Sequence, residues 1–186
     1  MRPFAIAAAL FLGACAANPQ DASPSMPIPM PTQSAEHKWL EQLVGEWEVK
    51  SEATMEPESD PMRMESTESV RSLGGLWILA EGTASLDGTP FKSMMTLGYD
   101  PQKKGIVGTW IDTAQTYLWT YAGTLDEAAD TLTLHAEGPS FGDTSKMAKY
   151  RDVIQMKDGD HRTLTSSVEE ADGSWTTFLR AEYVRK

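Results

Sequence analysis

From Glu46 to the C-terminus the chain alternates apolar and polar residues with a period of two, and glycine-bearing turns restart that period many times. In the first stretch Trp47, Val49, Ser51 and Ala53 share one parity, and Glu46, Glu48, Lys50 and Glu52 the other. Successive side chains of a strand point to opposite faces, so this is a strand with one face in a core and one in water. Gly74-Gly75, Asp87-Gly88, Asp158-Gly159 and Asp172-Gly173 are turn signals, and Pro101 opens another in "DPQKKG". About ten strands follow from this pattern. Before them Trp39, Leu40, Leu43 and Val44 fall at helical spacing, which predicts a short helix within 36–44, ended by Gly45. Short sequential strands joined by hairpin turns predict an all-β fold, an antiparallel up-and-down barrel of about ten strands behind one short N-terminal helix.

The first 35 residues have a different character. One basic residue, Arg2, precedes an apolar run from Phe4 to Leu12, too short to span a bilayer. The run ends in "LGAC" and resembles the lipobox of bacterial lipoproteins, which implies a signal peptide over 1–14 and lipidation of Cys15. Cys15 is the chain's 1 cysteine, so no internal disulfide can form. The alternative is an ordinary cleaved signal with an incidental cysteine. Residues 15–35 hold five of the 11 prolines among small polar residues, the composition of a disordered tether. The barrel domain is expected over 36–186. These features together predict a protein anchored in the bacterial cell envelope, with Ala16 after the cysteine leaning toward the outer membrane, facing the periplasm. The net charge of -11 disfavours nucleic acid as a partner. A monomer is expected.

"LVGEW" ahead of an all-strand chain resembles the start of the calycins, whose signature is a short helix running into Gly-x-Trp; Gly45 and Trp47 match it. A longer resemblance is to DUF1579, a bacterial family without an established activity. His37, Leu43, Gly45, Trp47, Arg71, Gly74, Gly75, Gly98-Tyr99-Asp100, Trp110, Asp112, Tyr183 and Arg185 carry it. The calycin resemblance implies that Trp47 closes one end of the barrel with a basic side chain from the last strand, here Arg185, across its ring. Gly45, Trp47 and Arg185 are therefore read as structural.

The aromatic residues are the candidates for a ligand site. Alternation places Trp77, Met95, Tyr99, Trp110, Trp119, Tyr121 and Tyr150 on inner faces, where they suit a small hydrophobic or amphipathic guest. Gly108, on the parity of Trp110, is expected to leave space beside that ring. Two carboxylates, Asp152 and Glu68, also fall on apolar parities, where an acid needs a partner or a proton. A bulge that flips the parity and leaves both acids outside is the favoured reading. If they are inside, an enzyme using one as acid or base is an alternative. His37, His135 and His161 lack metal-ligand spacing, and His135 and His161 are expected to face outward, so neither metal nor cofactor is assigned. A haem reading requires His135 or His161 inside. No nucleophile elbow, zinc-protease motif or phosphate loop is present, and no catalytic residue is named. Four functions remain: a lipid-anchored binding barrel, a structural lipoprotein with a filled core, a barrel enzyme, and a haem-binding barrel.

Overall fold

Among the described residues ten strands follow the helix, each hydrogen-bonded to the next, and the tenth returns to the first to close the barrel. The computed structural model describes residues 30–54, 59–86 and 88–186. The expected signal peptide, Cys15 and most of the tether lie outside the described residues. Helix α1 spans Ala35–Glu41, and the strands are β1 Gly45–Ala53, β2 Met62–Leu73, β3 Trp77–Leu86, β4 Thr89–Asp100 and β5 Gly105–Asp112. They continue as β6 Trp119–Asp126, β7 Thr131–Pro139, β8 Met147–Met156, β9 His161–Glu169 and β10 Trp175–Arg185. Every neighbouring pair is antiparallel, including β1 with β10, where Trp47 faces Arg185 in register. Closure removes the exposed sheet edge that an open sheet would present.

Folded structure begins slightly before the expected boundary. Gln33 donates through Nε2 to Gly75 O at 2.7 Å, and the Ser34 backbone N–H donates to His37 Nδ1 at 3.0 Å at the helix start. The imidazole of His37 thus satisfies a backbone donor at the head of α1, where the first N–H groups lack helical partners. Gly74 and Gly75 have φ of 66° and 71°, a turn conformation that favours glycine.

Helix α1 and Trp47 shut one end of the barrel. Trp39, Leu40 and Leu43 are buried, and the Trp47 side chain is fully enclosed. Trp47 Nε1 donates to Leu43 O at 2.9 Å, and the Arg185 guanidinium lies 4.2 Å from the ring centre. Arg185 also donates to Val44 O at 2.6 Å, Gln42 O at 2.9 Å and Gly159 O at 2.8 Å. It therefore ties the helix exit to the β8–β9 turn. Gly45 has φ of 143°, and a Cβ there would collide with Arg185 Nη1, so both backbone and space require glycine.

Three expectations change. Trp77 does not face inward: Ile78, Ala80, Gly82 and Ala84 take the inner face of β3, while Trp77 is 41% exposed. Its ring lies outside over Gly98, its cross-strand partner, where a Cβ would collide with it. "LWIL" is apolar on both parities, so alternation could not choose between them. Gly108 does not border open space, because a Cβ there would run into the Thr96 carbonyl and the Leu97 side chain. A leucine at 108 would thus break the packing of β5 on β4. The carboxylates are not flipped outward. Pairing of β8 with β7 and β9, and of β2 with β1 and β3, runs without a register shift, and the recorded shift lies at Thr177/Leu179 in β10. Glu68 and Asp152 stay inside.

Candidate functional site

The end opposite the helix is open. A cavity of about 350 Å³ enters there, within the size range of small-molecule sites. Its mouth is mostly apolar, with Met62, Leu86, Phe91, Phe141, Phe178 and Leu179 on the wall, and Asp112 and Gln115 at the end of β5 add polar groups to its rim. Trp119, Tyr150, Phe141 and Phe178 meet edge to face, with centroids 4.9 to 5.3 Å apart for the Trp119–Tyr150, Phe141–Tyr150 and Phe141–Phe178 pairs. Edge-to-face packing is a favoured arrangement for aromatic pairs. Trp119 lies over Gly138, where a Cβ would meet its ring, and Tyr150 donates to Pro139 O at 2.7 Å. Both side chains are thereby held against β7. Trp110 is fixed by its own strand end, its Nε1 donating to Asp112 Oδ2 at 3.1 Å.

Polarity increases with depth. Asp152 lines the cavity from β8 and accepts a 2.6 Å hydrogen bond from the Tyr121 hydroxyl on β6. Ser166, its cross-strand partner on β9, also bonds the carboxyl. Burial pushes the Asp152 carboxyl up from its ordinary pKa, while the two hydroxyls pull it down. Burial, then the neighbouring carboxylate, pushes Tyr121 well above its ordinary value, so the phenol keeps its proton and acts as donor.

Beneath this lies a space of about 20 Å³ bordered by Asp152, Glu68, Arg162, Tyr121, Tyr183 and Trp110. That is room for a single water molecule. Arg162 on β9 is 2% exposed and paired with Glu68 on β2, across β1 and β10. Its guanidinium stands 3.7 Å from the Tyr183 ring centre and 4.7 Å from that of Trp47. Trp47 therefore contacts two guanidiniums, Arg185 and Arg162. Sequence reasoning missed Arg162, although its parity with Leu164 and Ser166 was the available signal.

The expected site residues separate by depth. Trp110, Trp119, Tyr121 and Tyr150 line the open cavity. Met95 borders only the water-sized space below it. Tyr99 lies at the shut end, its ring 5.7 Å from His37, and Trp77 is outside. His135 packs against Trp175 on the outer surface at 6.1 Å, and His161 pairs with Asp158 at 2.9 Å. Both are exposed, so neither can serve the axial-ligand role a haem reading requires. Among the described residues no group of three His, Cys, Asp or Glu gathers into a metal site.

Solved structures that share the fold include the following two. The crystal structure of Rv2717c from M. tuberculosis aligns with a TM-score of 0.55 at 13% identity, covering 83% of this chain and 99% of that one. The S-type phycobiliprotein lyase CPES from Guillardia theta aligns with a TM-score of 0.53 at 14% identity, covering 83% and 93%. At such identities the likeness is one of fold. No curated protein matches the sequence. Most residues that carry the family resemblance gather at the shut end, among them His37, Gly45, Trp47, Tyr99, Tyr183 and Arg185, and Trp110 and Asp112 reach the cavity. The model of DUF1579, a family of proteins of unknown function, matches residues 32–185, and the chain belongs to that family.

Proposed function

We propose that this protein is a lipid-anchored envelope protein that holds a small hydrophobic or amphipathic ligand in its barrel. One observation carries the binding half of this reading. A cavity of about 350 Å³ opens at one end, mostly apolar at its mouth and polar at its base. A filled-core lipoprotein would have no such space. The test is native mass spectrometry of protein purified from its own host, with titration of an uncharged fluorescent hydrophobic probe. One small molecule per chain, displaced by the probe, supports the reading. A ligand-free mass together with no saturable probe binding overturns it.

The anchoring half rests on "LGAC" and is tested separately. Cys15→Ser should move the protein from the membrane fraction to the soluble fraction. Unchanged retention on membranes in a detergent-free wash would contradict it.

Acid–base chemistry on a bound substrate is a second reading, supported by the burial of Asp152 beside Tyr121. It requires that an added ligand be recovered chemically changed, whereas the binding reading requires it unchanged.

A further inference from the structure

We propose that the barrel selects an amphipathic ligand whose polar head is a cationic ammonium-type group, docked on Asp152, and discriminates against fatty carboxylates. This rests on the ligand-binding reading above and adds the chemical class of the ligand.

The argument is one of charge inside a closed wall. Asp152 lines both the large cavity and the water-sized space beneath it, so its carboxyl stands where the base of the cavity meets that space. Its bonding partners, Tyr121 and Ser166, are neutral hydroxyls. Among the described residues lining these interior spaces, Arg162 is the one basic side chain, and Glu68 already engages it. Among the described residues these spaces are thus lined by three carboxyl groups, Asp112 near the opening and Asp152 and Glu68 deeper, against one guanidinium. A carboxylate head would bring a further negative charge to Asp152 and find Arg162 taken. An ammonium head supplies the missing counter-charge, because a carboxylate in an apolar enclosure favours a nearby cation.

Size and surroundings agree. A space of about 20 Å³, enough for a water, also suits a group as small as a primary ammonium. Trp110 and Tyr121 border both spaces, and aromatic faces attract cations. The mostly apolar mouth would then take the hydrocarbon tail.

The empty barrel makes a clean test possible. Burial raises the folded-state pKa of Asp152, so without a cation beside it the charged form is less favoured in the barrel than in water. Its contribution to stability is present below the unfolded-state pKa and is lost as pH rises through the raised value. Asp152→Asn keeps an acceptor for Tyr121 and removes the charge. The variant should therefore fold at least as stably as the parent at neutral pH.

Parent and Asp152→Asn proteins are titrated at pH 7 with n-octylamine, n-octanol and n-octanoate, followed by calorimetry, with a thermal melt of each protein. The parent should bind octylamine about ten-fold or more tighter than octanol, with octanoate the weakest. Asp152→Asn should erase the octylamine preference, bringing octylamine and octanol to similar affinity. Octanol binding as tightly as octylamine in the parent, or an octylamine preference that survives in Asp152→Asn, overturns the proposal while leaving the cavity reading in place. The second outcome would assign the preference to the acidic outer surface. No saturable binding of any probe overturns both. If Asp152→Asn melts well below the parent, the parent's own octylamine-to-octanol ratio decides, and a ratio near one overturns the proposal.

Discussion

Trp47→Ala should leave a domain that is largely unfolded or close to it. The side chain is completely enclosed, with Arg185 at 4.2 Å and Arg162 at 4.7 Å from its ring. Tyr183 meets it edge-on at 6.4 Å, and Leu43 O accepts its indole proton at 2.9 Å. Deleting a large buried aromatic costs about 3–5 kcal/mol. The stability of a typical domain is only about 5–15 kcal/mol, so that loss is a large share. Two further consequences add to it. Arg162 loses a ring that shields it, and helix α1 loses the bond that fixes its exit. Urea unfolding followed by circular dichroism measures the effect. Trp47→Phe retains the packed ring and should fall between the two. If Trp47→Ala unfolds at the parent's midpoint, the indole does not close the barrel.

Glu68→Leu should destabilise nearly as much, for an electrostatic reason. Arg162 is 2% exposed, so its guanidinium would be left in the interior without a counter-charge. Breaking a buried pair by removing one partner costs about 3–5 kcal/mol, whereas replacing both by apolar residues is often neutral. Glu68→Leu combined with Arg162→Met should therefore be more stable than Glu68→Leu alone. Full recovery is not expected, since Arg162 also lies 3.7 Å from the Tyr183 ring centre. A double-mutant cycle on unfolding free energies isolates the coupling. Additive losses would show that Glu68 and Arg162 do not stabilise one another, and the pair would lose its place in the account of the shut end.

What could be read from the sequence was local. The period of two, broken by Gly74-Gly75, Asp158-Gly159 and Asp172-Gly173, was enough for ten strands, because a strand's facing and a turn's backbone depend on adjacent residues. The Trp47–Arg185 contact was reached through the calycin resemblance rather than from local pattern, and β1 pairing with β10 brings the two together. "TYLW" shows where local signals weaken: the strand begins at Trp119, after Tyr117 has left the ladder to donate to Glu137 O at 3.0 Å. Tertiary structure decided the rest. Trp77 could face either way on a strand apolar on both parities, and packing over Gly98 put it outside. Gly108 and Gly138 look alike in sequence, yet the Thr96 carbonyl fills the place of one side chain and Trp119 that of the other. Met95, Tyr99 and Tyr121 share an inner face but lie at different depths, which alternation does not encode. Glu68 and Arg162 are 94 residues apart, and only closure of the barrel brings them together. The cavity and its carboxyl base are likewise the product of ten strands, since the space left inside a barrel depends on every wall at once.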